Sequence, residues 1–181
     1  MAYSGKEFEK NFEDSWKKQL PNKSIIRLYD TTNGYRTIAN PCDYLVGVDV
    51  GEVMLELKTI KESSFSFNNL TSNQFEQILD RSLYADNTNG GLLIYFRDKQ
   101  NMLMYYPIEH IAQIKLSGTK SVNPVTNLNA GRSIKFNKKR VNIEVDCIDL
   151  LECFEYFYGK ESDSYWGQEQ NYLKSIYKKM K

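Results

Sequence analysis

The chain is poor in histidine and cysteine and has no long apolar run. One histidine, His110, in 181 residues argues against a histidine-rich zinc site and against a Ser-His-Asp hydrolase. The three cysteines, Cys42, Cys147 and Cys153, have no metal-ligand spacing. Their odd number is that of reduced thiols, and it sets the expectation of a cytoplasmic protein. No stretch approaches the roughly 20 apolar residues of a membrane helix. The charged, polar start from Lys6 onward carries no secretory signal. Strong charge of either sign is also missing. The net charge is +1, without the basic surplus usual in nucleic-acid binders. A hydrophobic fraction of 41% with 13% aromatics suits a soluble globular chain, expected to form one domain over 1–181.

The small total hides an uneven distribution. Lys135, Lys138, Lys139 and Arg140 cluster, as do Lys174, Lys178, Lys179 and Lys181, while acids gather at Glu7 to Asp14 and Asp146 to Glu161. A basic face beside an acidic site is compatible with near neutrality. The organising stretch is Asp43 to Lys58. Val53-Met54-Leu55 is apolar and partly β-branched, the composition of a buried strand. It ends in Glu56-Leu57-Lys58, where alternation turns Glu56 and Lys58 to one face. A turn at Gly51-Glu52 would fold Tyr44 to Val50 back and bring Asp43 near Glu56. Two carboxylates and an ammonium on one face suit a hard divalent cation, Mg²⁺ with Mn²⁺ as its substitute. The same letters also suit a strand face laced with opposite charges.

Around this strand the spacing predicts a helix over Lys6 to Leu20, with Phe8, Phe12 and Trp16 as its apolar stripe and Ser4 and Glu7 as a capping box. Glu9 and Glu13 lie four apart on its flank. Ser24 to Tyr29 is a short strand containing Arg27, and Asp30 to Pro41 is a loop. Thr71 or Ser72 caps a helix from Asn73 to Leu83 with Gln74 in its first turn. Gly90-Gly91 breaks the chain before a buried strand at Leu92 to Phe96. Met102 to Tyr106 follows antiparallel, then a helix at Ile108 to Leu116. Ser133 to Phe136 and Val141 to Val145 are short strands. Asp146 caps a helix to Tyr158 with Ile148, Leu151 and Phe154 on its buried face. A last helix runs from Ser164 to about Met180. The order predicts an α/β fold, a central mixed sheet flanked by helices.

The series of motifs resembles the RecU-type Holliday junction resolvases of the PD-(D/E)xK nuclease superfamily, above all their compact phage members, over about Gly5 to Ser121. Gly5 with Phe8-Glu9 is similar to the family's opening motif. Asn40-Pro41-Cys42-Asp43-Tyr44-Leu45-Val46-Gly47 is similar to its aspartate segment, and Leu55-Glu56-Leu57-Lys58-Thr59 to its Glu-x-Lys strand. Ser64-Phe65-Ser66-Phe67 followed by Gln74, then Gly91 to Phe96, then Lys120-Ser121, complete the order. Where the family has a long basic projection, Asp30 to Asn40 is short, with Arg36 its one positive charge.

The resemblance implies a nuclease core over 1–121 and a C-terminal extension, 122–181, of a strand pair and helices. It implies metal ligation by Asp43, Glu56, the Leu57 carbonyl and Glu9, with Glu13 competing for the last place. Lys58 would position or activate the attacking water, and Gln74 would support the site. The expected DNA-binding residues are Arg27, Arg36, Lys61, Ser64, Lys120, Lys138, Lys139 and Arg140. The implied activity is Mg²⁺-dependent endonuclease action on four-way junctions, by paired nicks from a homodimer formed through the first helix and neighbouring strands. A nuclease of linear duplex or other branched DNA, and an inactive branched-DNA binder, are the alternatives. A phage protein would work in the host cytoplasm, and no membrane association is expected.

Overall fold

The structure is a computed structural model and describes residues 4–28, 40–140, 142–159 and 171–177. Helix α1 (Gly5–Gln19) begins at the expected capping box. The Glu7 N–H donates to Ser4 Oγ at 3.3 Å and the Ser4 N–H to Glu7 Oε2 at 2.6 Å. Three strands follow: β1 (Ile25–Arg27), β2 (Tyr44–Val48) and β3 (Gly51–Ile60). Then come β4 (Phe65–Ser66), a 3-10 turn, α2 (Ser72–Tyr84), β5 (Thr88–Phe96), β6 (Met102–Pro107) and α3 (Ile108–Leu116). The remainder is β7 (Ser121–Val122), β8 (Arg132–Ile134), β9 (Phe136–Lys138), β10 (Ile143–Val145) and α4 (Cys147–Tyr158). Residues 171–177 are helical.

Six strands form the main sheet in the order β1-β2-β3-β5-β6-β8. β3 and β5 run parallel and every other neighbouring pair antiparallel. The sheet is mixed because α2 carries the chain from the end of β3 back to the start of β5, as a parallel connection requires. The fold is the predicted α/β sheet flanked by helices.

β3 lies at the centre, and its alternation divides the core. Val53, Leu55 and Leu57 pack with Phe8, Phe12 and Trp16 of α1 and Leu150 and Phe154 of α4. Met54 and Ile60 face the other way, toward Ile78, Leu79 and Leu83 of α2 and Ile108 and Ile111 of α3. Phe8 and Phe12 are fully buried, each stabilising the α1 side by about 1.5–3 kcal/mol. Glu56 and Lys58 share the parity of Met54, so they belong to the α2 face.

Several expectations are corrected. The β2–β3 turn falls at Asp49-Val50, with Val48 opposite Gly51. Gly51 has φ +110° and an added Cβ would strike the Asn87 carbonyl, so it starts β3 as the residue that tolerates the left-handed region. Gly90 and Gly91 do not break the chain but lie inside β5. A Cβ at Gly90 would meet Ile78, and one at Gly91 the Tyr106 carbonyl and the Tyr105 ring; close packing, not a turn, requires them. On α4, Ile148 is exposed, and Cys147, Leu150, Cys153, Phe154 and Phe157 form the buried face. Ser133 to Phe136 splits into β8, on the main sheet, and β9, which pairs with β10. Tyr29 lies outside the described residues, as does most of the expected last helix. Among the described residues no helix is long and apolar enough to cross a membrane, and all three cysteines are free and buried.

Among the described residues two buried acids stand outside the sheet, Glu109 on α3 and Asp149 on α4. Glu109 of α3 is almost wholly buried; Ser82 Oγ donates to its Oε1, and Oε2 has no partner. Burial raises its pKa above the ordinary value of 4.5, against the Ser82 hydrogen bond. A carboxyl whose folded pKa is raised contributes stability that is complete below its unfolded pKa and is lost as pH rises through the folded one. Urea unfolding of Glu109→Gln beside the parent should therefore show the variant gaining on the parent as the pH rises above about 5. A difference that does not change with pH would contradict this.

Candidate active site

The β2–β3 register sets the site. Tyr44 stands opposite Leu55 and the Asp43 N–H donates to the Leu55 carbonyl at 3.0 Å. One step further along β3, the Leu57 N–H donates to Asp43 Oδ2 at 2.7 Å. The Asp43 side chain thus fills the place where the β2 ladder has ended. A strand residue turns its N–H and C=O to the same edge, so the Leu57 carbonyl also faces the Asp43 side.

Glu56 is 1% exposed. Lys58 Nζ lies 2.6 Å from its Oε1, and Gln74 Nε2 donates to the same oxygen at 2.7 Å. Glu56 Oε2 is buried and has no partner. The Gln74 amide is held in turn by the α2 capping box: the Thr71 N–H donates to Gln74 Oε1 at 3.3 Å and the Gln74 N–H to Thr71 Oγ1 at 3.2 Å. A first-turn glutamine therefore caps the helix with one end and orients the buried carboxylate with the other.

Both acids are driven toward protonation. Burial is the largest cause for each. Glu9 adds to the effect at Asp43, and Asp43 adds to it at Glu56. The Leu57 N–H at Asp43, and Lys58 and Gln74 at Glu56, act in the opposite direction. Cys42 sits beside them with its thiol pushed up to about 12 by burial and the two carboxylates, which removes it as a thiolate nucleophile or ligand.

These residues fit a divalent cation. The donors are hard oxygens, one of them buried without a partner, and a cation would relieve the mutual repulsion of two acids. Among the described residues no group of three or more His, Cys, Asp or Glu side chains is arranged to hold a metal. Two carboxylates without a third suit Mg²⁺, which keeps several of its waters. Glu9, whose charge acts on Asp43, is ion-paired with Arg27. Arg27 lies 3.9 Å from Glu13, which is also paired with Lys17. Tyr44 Oη donates to the Glu9 carbonyl at 3.1 Å and to Glu13 Oε2 at 3.2 Å. Glu13 is drawn below the ordinary carboxylate pKa, chiefly by its hydrogen bond from Lys17.

No protein-family model matches the chain. No curated protein matches it either. Among solved structures it is similar to Archaeoglobus fulgidus Hjc, a Holliday junction resolvase from an archaeal hyperthermophile, with a TM-score of 0.43 and 17% identity over 68% of this chain and 94% of that one.

The expected DNA-binding residues are dispersed. Arg27 is committed to Glu9 and lies 5.8 Å over the Tyr44 ring. Arg36 lies outside the described residues. Lys61 is exposed just beyond β3. Ser64 precedes β4, which pairs with β7 so that Ser66 stands opposite Ser121; the Phe67 N–H donates to the Lys120 carbonyl at 3.0 Å. The fold thus brings the Ser64 and Lys120 segments together. Lys138 reaches Asn101, and Lys139 pairs with Glu144 at 2.8 Å. Lys138 ends β9 on the small β9–β10 sheet, and Lys139 and Arg140 lie just beyond it. The spacing of the sequence gave no sign of the Tyr44 and Arg27 network, because it joins α1, β1 and β2.

Asp43→Asn keeps an acceptor for the Leu57 N–H and removes a half-buried charge that repels Glu56. In metal-free buffer we expect the variant to unfold at the same urea concentration as the parent or higher, by up to about 1 kcal/mol, as active-site relief often does. A loss of more than about 1 kcal/mol would mean that the Asp43 charge stabilises the fold.

Proposed function

We propose that the protein is a Mg²⁺-dependent endonuclease of branched DNA, a RecU-type resolvase that cuts four-way junctions by paired symmetric nicks. The observation that carries the reading is the buried Glu56 carboxylate, with Oε2 unpartnered, flanked by Asp43 and by Lys58. Asp43 and Glu56 would hold the cation, with the Leu57 carbonyl facing the same side. When bound there, the ion supplies Lewis-acid stabilisation for the charge that builds on a phosphodiester during in-line displacement.

The side chains prepare the rest. The Leu57 N–H fixes the Asp43 carboxylate. Gln74 and Lys58 both hold Glu56 Oε1, which aims Oε2 away from them. Lys58 is partly exposed, and its ammonium, held at Glu56 Oε1, would orient an attacking water or a phosphate oxygen. Arg27 neutralises Glu9 and keeps α1 from adding a further bare charge. Affinity would come mainly from phosphate contacts and so fall steeply with salt. Two equivalent nicks call for a C2 homodimer. Mn²⁺ would replace Mg²⁺, and a phage-encoded copy would act in the host cytoplasm.

The test is cleavage of a synthetic four-way junction beside a linear duplex of the same arms, in Mg²⁺ and in EDTA. We expect paired symmetric nicks in the junction with Mg²⁺ alone, and a loss of at least about 100-fold in Asp43→Ala and Glu56→Gln with binding retained. Equal cutting of both substrates would make the protein a general endonuclease. Binding of the junction without cutting would make it an inactive binder, and unchanged cutting by Asp43→Ala would remove the site assignment.

A further inference from the structure

A polar cleft of about 590 Å³ opens beside the site, between the segment leading into α2 and the α3–β7 connection. Asn68, Thr71 and Ser72 form one wall, and Lys115, Thr119 and Lys120 the other. Among the described residues no acid lines it, although the chain carries 23 acids against 24 lysines and arginines. Among the described residues neither Lys115 nor Lys120 has an ion-pair partner; the eleven ion pairs recorded there involve neither residue.

Lys115 is held in a defined place. Its ammonium lies 3.9 Å from the centroid of Phe75 and 5.9 Å from that of Phe67. Lys115 is half-buried and also lines a small apolar cavity of about 170 Å³ with Phe75, Leu79 and Leu173, and Glu76 is the acid whose charge acts on its ammonium. Such an ammonium is partly stripped of water and fixed by two rings, and an anion in the cleft would complete its surroundings. The cleft is also joined to the site. Thr71 in its wall and Gln74 hold one another, and Gln74 reaches Glu56 at 2.7 Å.

We infer that this cleft seats the phosphodiester backbone of the DNA strand next to the one cut, with Lys115 and Lys120 as its two phosphate contacts; this rests on the nuclease reading above. Seating the backbone against the Thr71–Gln74 wall places the strand in register with Glu56. Lys115 is then a strand-positioning residue and not a catalytic one.

The experiment is fluorescence anisotropy of a labelled four-way junction with full-length Asp43→Asn protein, across a series of salt concentrations. Lys115→Met, which keeps the apolar stem against Phe75, and Lys120→Ala should each weaken binding and lower the slope of log K against log salt by about 1. The double variant should lower it by about 2. Lys23→Ala, at the turn end of the β2–β3 hairpin where Lys23 pairs with Asp49, should leave the slope unchanged. If the parent binds and the two cleft variants keep its slope, the cleft does not hold the backbone, while the nuclease reading stands. If Lys23→Ala lowers the slope as much as they do, the effect is one of overall charge and the inference fails. If the Asp43→Asn parent does not bind the junction at any salt, the nuclease reading falls and this inference with it.

Discussion

A carboxylate buried in the middle of a sheet is the constraint on which this molecule is built. Taking the Glu56 charge out of water is costly unless polar groups replace the solvent. Here two groups replace the solvent, both at one oxygen. Lys58 is two residues on along the same strand face, Gln74 comes from the first turn of the crossover helix, and the remaining oxygen is left without a partner. Asp43, which the register brings alongside, adds repulsion to burial. A fold selected for stability alone would not put two acids there. The parallel β3–α2–β5 unit, the β2–β3 hairpin and the close packing at Gly90 and Gly91 all hold that arrangement in place.

The neighbouring groups separate charges that would otherwise interfere. Arg27 and Tyr44 bind the acids of α1, so Glu9 and Glu13 face partners of their own. Cys42 is kept as a neutral thiol. On the far side of Gln74 lies a cleft lined, among the described residues, by two lysines and no acids. A chain with a net charge of +1 thereby keeps a local field suited to an anionic polymer beside a site suited to a cation. Composition alone argued weakly against a nucleic-acid partner. It averages over a length scale larger than the site, and exposed charges are screened within about 8–10 Å.

Much of this was legible in the sequence. The α1 capping box, the parity of Glu56 and Lys58, the return of Asp43 to Glu56 and the place of Gln74 follow from spacing, because strand alternation and helix caps are local. The differences have causes that are distant in sequence. The turn moved to Asp49-Val50 because Gly51 meets Asn87, a residue 36 positions away, and the glycine pair at 90 and 91 answers to Ile78 and Tyr105 across the fold. Ile148 is apolar yet exposed, a choice that helical spacing alone could not make between two faces of α4. The Arg27 partner of Glu9 was not legible in spacing, since Arg27 arrives from another element. Lys115 gave no signal, because its two aromatic neighbours come from the α2 region.

The central claim is that Asp43 and Glu56 form a preformed cation site. The measurement that tests it most directly is the thermal midpoint of the purified protein with and without Mn²⁺ or Mg²⁺, for the parent and for Asp43→Asn and Glu56→Gln, with no DNA present. An ion that binds only the folded state raises the midpoint with its concentration. The account predicts a rise in the parent that is lost in both variants. An equal rise in all three, or none in the parent at millimolar ion, would contradict it.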